Sequence, residues 1–168
     1  MSQRRLLLGM VVCAIGAAAI GAVLASFGGC GGKADGGTVM VVRTGPGADA
    51  TRKPTAEERA ELRIQVEVVK NYWAFPYVSE YELFSSSFKQ ILKDAHGVSN
   101  ASDYARIMST NERNWLKENY QRAELTDPTH GQVTVLVDWK EAGYSGAQTV
   151  IFDMLKEGGE WKISSIFY

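Results

Sequence analysis

From Gln132 onward the chain alternates apolar and polar residues with a period of two, and the pair Gly158-Gly159 breaks the pattern near its end. Successive side chains of a strand point to opposite faces, so this period marks strands with one buried face. Gly158-Gly159 suits a two-residue primed turn, in which both central positions need positive φ. Such a turn sets its own register. Glu157 faces Glu160, Lys156 faces Trp161, Met154 faces Ile163, Phe152 faces Ser165 and Val150 faces Phe167. The face with Phe152, Met154, Trp161, Ile163 and Phe167 is the apolar one. Asp153, Lys162, Ser164, Ile166 and Tyr168 fall on the other. In the preceding strand Val133, Val135, Val137 and Trp139 form the apolar set, opposed by Thr134, Leu136, Asp138 and Lys140. A further strand around residues 120–126 pairs through the "DPTHG" turn, which completes an antiparallel meander.

Upstream the period changes to that of helices. Pro54, with Thr55 and Glu58 as a capping box, opens a long amphipathic helix that Pro76 ends. Leu62, Val66, Val69 and Trp73 form its stripe, widened by Ile64, Val68, Tyr72 and Phe75. Ser79 with Glu82 predicts a second capping box and a short helix through Tyr81, Leu83 and Phe84. Phe88, Ile91 and Leu92 extend or follow it. Residues 97–100 break the pattern, and Ser102 is the predicted cap of a third helix carrying Tyr104, Ile107, Met108, Trp115 and Leu116. The aromatics in these helices read as core. Helices first, then a meander with one apolar face, give an α+β fold whose helices cover that face.

This order of elements, ending in "LKEGGEWKISSI", resembles the nuclear transport factor two-like superfamily. That superfamily includes the SnoaL-like and ketosteroid-isomerase-like cones. The resemblance extends to uncharacterised bacterial lipoproteins whose domain ends in a Gly turn followed by Trp-Lys-Ile. It covers residues 55–168 and rests on Gly159-Glu160-Trp161-Lys162-Ile163. It implies a curved sheet wrapped around the long helix, often with a pocket. Catalytic members place a carboxylate, Tyr or His there, where a buried carboxylate acts as general base. On this expectation the concave face carries Trp73, Trp139, Phe152, Met154 and Trp161 as candidate ligand-binding residues.

No catalytic constellation emerges from the residues themselves. Asp138 and Asp153 alternate out of phase with the apolar face and are expected to point to water. His130 lies in a turn, and His96 precedes Gly97 at a helix end, where a cation favours the helix dipole. The chain has no HExxH, no phosphate-loop glycine pattern and no metal-spaced Cys or His pair, so no metal or cofactor is expected. Ser85, Ser86 and Ser87 read as a polar loop. Tyr72, Tyr81 and Tyr104 fit either a pocket or a core edge.

The N-terminus bears on location. "MSQRR" precedes an uncharged apolar run over residues 6–27, as in a secretory signal. Phe27-Gly28-Gly29-Cys30 resembles a bacterial lipobox, which implies cleavage before Cys30 and acylation of that cysteine. Two or more acyl chains anchor far better than one. The alternatives are an uncleaved transmembrane anchor, since a run of this length can span a bilayer, and plain signal cleavage elsewhere, for instance after Ala34. Residues 1–29 are thus the expected signal peptide, 30–54 a Gly-rich flexible linker and 55–168 the cone domain. Within the linker "TVMVV", residues 38–42, has strong β-propensity and is either an edge strand or a membrane-surface segment. Residues 55–168 hold 12 Lys/Arg and 17 Asp/Glu, a balance of −5, which argues against a nucleic-acid partner. Both cysteines, Cys13 and Cys30, precede that span, so it has no disulfide and no cysteine-ligated zinc. The resulting expectation is a lipid-anchored domain on the extracytoplasmic side of a bacterial envelope, binding a small apolar ligand or an envelope protein without catalysis. The alternatives are an isomerase- or dehydratase-like enzyme with a pocket Tyr and a carboxylate, and a structural module whose cone is filled.

Overall fold

The computed structural model describes residues 32–33, 37–44, 51–74, 76–109, 115–141 and 144–168. The strands are β1 (Gly32–Lys33), β2 (Val39–Arg43), β3 (Thr51–Arg52), β4 (Trp115–Leu125), β5 (His130–Glu141), β6 (Tyr144–Glu157) and β7 (Glu160–Phe167). The helices are α1 (Ala56–Ala74), α2 (Tyr77–Glu80), α3 (Ser86–His96) and α4 (Ala101–Met108), with a 3-10 turn at Tyr81–Leu83. The order β1-β2-β4-β5-β6-β7, with β3 paired to β2, makes one seven-stranded sheet. The helices pack on one face of it, so the fold is α+β as expected. Val133, Val135, Val137, Val150, Phe152, Met154 and Ile163 supply the sheet side of the core, and Leu62, Val66, Val69 and Tyr72 the α1 side.

Local chemistry accounts for the helix ends. The Thr55 capping box forms as expected: the Glu58 backbone N–H donates to Thr55 Oγ1 at 3.2 Å, and the Thr55 N–H donates to Glu58 Oε2 at 2.8 Å. The Ser79–Glu82 box does not form. Pro76, locked at a φ that suits a helix start, opens α2 instead. The three serines are not a loop: Ser85 caps α3 by accepting from the Phe88 N–H at 3.2 Å, and Ser86 and Ser87 lie in its first turn. Gly97 ends α3 at φ 69, the left-handed region where glycine has no Cβ penalty. Asn100, not Ser102, caps α4, accepting from the Asp103 N–H at 2.9 Å. That helix stops at Met108, so Trp115 and Leu116 begin β4 and are not helical.

Three irregularities bend the sheet. Register shifts in β4 fall between Trp115 and Lys117 and between Tyr120 and Arg122, and a third falls between Asp153 and Met154 in the β6–β7 ladder. Bulges of this kind bend a strand and increase its local twist. The third also corrects the expected register. Lys156↔Trp161 and Met154↔Ile163 pair as foreseen, but Phe152 meets Ile166 and Ile151 meets Phe167. One extra residue enters β7 at Ser164, whose hydroxyl donates to the Asp153 carbonyl at 3.1 Å. Ile166 therefore reaches the core and Phe167 turns to the other face.

The segment at residues 38–42 proves to be sheet. β2 runs parallel to β4, Val39 opposite Arg122 through Val42 opposite Leu125. Met40 and Val42 enter the core, while Val41 is buried on the other face beside Glu124. Full burial of such side chains stabilises by roughly 1.5–3 kcal/mol each. The folded unit thus begins before Thr55, and the expected linker over residues 30–54 contributes three strands to it. Glu124 locks the join. Its carboxylate, nearly fully buried, accepts from Arg43 Nε at 2.5 Å and from Arg122 Nη2 at 2.6 Å.

Candidate functional site

Of the five residues expected on the concave face, Phe152, Met154 and Trp161 are buried in the core. Trp73 is half-buried at its margin, its ring 5.0 Å from Tyr72 and 5.7 Å from Phe152 in edge contacts. Trp139 lies outside this cluster, half-buried and paired across strands with Gly146. Gly146 is what leaves room for its indole, because a Cβ there would come within 3.0 Å of the ring.

Tyr72, Tyr81 and Tyr104 converge beneath α1 as one aromatic group. Tyr72 touches Phe152 at 5.3 Å and Phe84 at 6.2 Å. Phe84 in turn touches Phe88 at 4.9 Å and Tyr104 at 5.3 Å, and Tyr104 lies 5.8 Å from Tyr81. The contacts are edge-on except for the tilted Tyr72–Phe84 and Tyr81–Tyr104 pairs, and edge-on approach at these spacings is a favoured aromatic geometry. They carry the rings continuously from α1 to α4. The hydroxyls of Tyr72 and Tyr168 approach to 3.5 Å. Tyr168 is 41 % exposed, so this pair links the interior to the surface.

A carboxylate absent from the sequence reading belongs to the group. Glu80, at the end of α2, is 0 % exposed. A signal for it was present: Tyr77, Glu80, Tyr81 and Phe84 recur at i, i+3, i+4 and i+7, which puts Glu80 on an apolar helical face. Burial, then the nearby Tyr168, Tyr104 and Glu80, hold the Tyr72 phenol far above its ordinary range. Burial, then Glu82 and Asp103, also raise Tyr81. Both stay protonated at any physiological pH, so they can donate hydrogen bonds but cannot act as bases.

The remaining candidates lie where the phase of the strands put them. Asp153 is on the face opposite the helices, accepting from Gln132 Nε2 at 3.0 Å. Asp138 alternates with the buried Val137 and shares that outer face. His130 is exposed beside Asp127, with Nδ1 2.9 Å from Oδ2, and His96 is the last residue of α3. Among the described residues no three His, Cys, Asp or Glu side chains group as a metal site, and no helix is long and apolar enough to cross a membrane. Cys30 and the apolar run over residues 6–27 lie outside the described residues.

Comparison with known proteins assigns no family. No family model matches the chain, and no curated protein matches its sequence. Among solved structures it is similar to a SEC-C motif containing protein from Rhodopseudomonas palustris. That match has a TM-score of 0.38 and 14% identity, and covers 67% of this chain and 77% of the other. It is also similar to the helical cell shape determining protein Pgp2 from Campylobacter jejuni. There the TM-score is 0.40 and the identity 15%, over 61% of this chain and 38% of that protein. Likeness at this level carries no argument about function.

Proposed function

We propose that this chain is a membrane-anchored extracytoplasmic domain, a nuclear transport factor two-like cone that works by binding a protein partner and not by catalysis. The observation that carries this reading is the occupied interior. Tyr72, Trp73, Phe84, Phe88, Tyr104 and Phe152 form one continuous cluster of T-shaped and tilted ring contacts in the core. Recognition then falls to the surface. The sheet face opposite the helices offers Leu136, Ile151, Leu155 and Phe167, each half-buried and interleaved with polar neighbours. Aliphatic and aromatic groups set among polar ones are the usual make-up of a protein-binding patch.

Two experiments test this. The full-length protein is titrated with a fluorescent apolar probe and with long-chain fatty acids. No saturable binding is expected, and saturable one-to-one binding would restore the interior-ligand reading. In parallel, photoreactive residues are placed in cells at Leu136 and Ile151 on the outer face and at Gln90 on the exposed side of α3. Discrete protein-sized adducts from the first two but not the third are expected, and equal labelling at all three sites would sink the outer-face assignment. Membrane attachment is checked by mass spectrometry of the membrane fraction. An acylated species beginning at Cys30 is expected, whereas an intact Met1-containing species unchanged by Cys30→Ser would mean an uncleaved anchor.

A further inference from the structure

The distance between the membrane anchor and the folded sheet is set by very few residues. Gly32 and Lys33 form β1 and pair with Met40 and Val39 of β2. β2 in turn is integral to the fold: Met40, Val41 and Val42 are buried, β4 flanks it, and the Glu124 carboxylate holds Arg43 to Arg122. The first sheet residue therefore stands two positions after Cys30, with Gly31 alone between them. An extended chain covers at most about 3.6 Å per residue, so Gly32 is held within about 7 Å of an acylated Cys30. An uncleaved span ending at Phe27 allows about 18 Å on the same arithmetic. The headgroup layer on each side of the hydrocarbon core is itself only about 5–7 Å deep.

We propose that the β1–β2 edge of the sheet rests on the lipid headgroups, so that the domain is seated on its membrane and not held away from it by a linker. The inference rests on membrane attachment as proposed above, and it holds for either mode of attachment. Charge favours the same seating. Residues 31–54 carry Lys33, Arg43, Arg52 and Lys53 against Asp35 and Asp49, a balance of 4 − 2 = +2 in which Arg43 and Arg52 are matched by Glu124 and Glu58, while residues 55–168 stand at −5. A bilayer with anionic headgroups repels the acidic bulk more than this segment. The strand order then grades the sheet by distance. β7 lies five strand steps from β1, at most about 24 Å at about 4.8 Å per step, and the β6–β7 turn belongs to the strands farthest along the sheet.

The test uses the full-length protein in vesicles of phosphatidylcholine and phosphatidylglycerol containing a headgroup-attached paramagnetic quencher. A fluorescent amino acid replaces either Lys53, beside β3, or Glu160, at the far turn; both positions are exposed and neither enters the core. Quenching at position 53 is expected to exceed that at position 160 several-fold. Inserting a twenty-residue Gly-Ser spacer between Gly31 and Gly32 is expected to abolish most of this difference. Equal quenching at the two sites in vesicle-bound protein overturns the seating while leaving the anchor intact. A difference that survives the spacer overturns the short-tether cause. Recovery of the protein free of vesicles overturns the attachment itself, and the seating with it.

Discussion

Gln65 lies fully buried in the stripe of α1, between Leu62 and Val66, and its amide nitrogen and oxygen have no hydrogen-bond partner among the described residues. Gly131 makes the room: a Cβ there would fall 2.6 Å from the Gln65 amide nitrogen and 2.7 Å from the Glu124 carbonyl. Leaving a buried polar group unpaired costs about 1–3 kcal/mol. Gln65→Leu is therefore expected to raise unfolding stability by about 1 kcal/mol in denaturant melts, and Gly131→Ala to lower it by about 1–3 kcal/mol through overpacking. A loss with Gln65→Leu would mean that the amide is satisfied in solution. Trp161 is the opposite case, a large ring that the hairpin register placed correctly in the core. It is 3 % exposed, and its indole N–H donates to Glu61. Trp161→Ala should cost about 3–5 kcal/mol, and a loss under about 1 kcal/mol would contradict its burial. Single residues were legible where pattern and chemistry agreed, as at Trp161. They were missed where a polar residue occupied an apolar position, as at Gln65 and Glu80.

At the scale of elements, the features fixed by local chemistry were readable and those fixed by a single inserted or distant residue were not. The Thr55–Glu58 box and the Gly158-Gly159 turn each need only residues within hydrogen-bond reach along the chain, and both form. The bulge at Ser164 left a trace in the sequence, since strict alternation puts Ser165 on the apolar face and Ile166 off it, but local chemistry alone did not locate the extra residue. Several of these local joints are acid-sensitive. Glu58 is held at about 2, against an ordinary 4.5, first by Arg52 and then by the Thr55 N–H. Asp127 is held at about 2 by the Thr129 N–H and hydroxyl, and Glu61 below its ordinary range by Lys156 and then Trp161. A carboxyl whose folded value lies below its unfolded one lends stability that is complete above the unfolded value and lost as pH falls toward the folded one. Stability should therefore be flat above about pH 5 and decline between about pH 4.5 and pH 2. Glu58→Gln is expected to flatten part of that decline in melts across pH. An unchanged acid limb would mean that solvent screens the Arg52 pair completely.

For the molecule as a whole, the parallel pairing of β2 with β4 has a consequence in time. Arg43 and Glu124 meet across 81 residues of chain, so the join requires everything up to β4 to be present. Closing loops of this length is slow compared with forming a helix or a hairpin, because the entropy is lost before any contact rewards it. β2 is thus made well before its parallel partner β4. Until β4 arrives the edge of β2 opposite β1 is open, a short run of Val-Met-Val-Val whose backbone groups on that side can pair with another chain. Such a segment is where premature aggregation would start. Val41→Asp should accordingly reduce aggregation of the refolding chain while lowering the stability of the finished fold, measured by light scattering during refolding and by denaturant melts. A strand so placed makes maturation a race between neighbouring chains and the arrival of each chain's own second half.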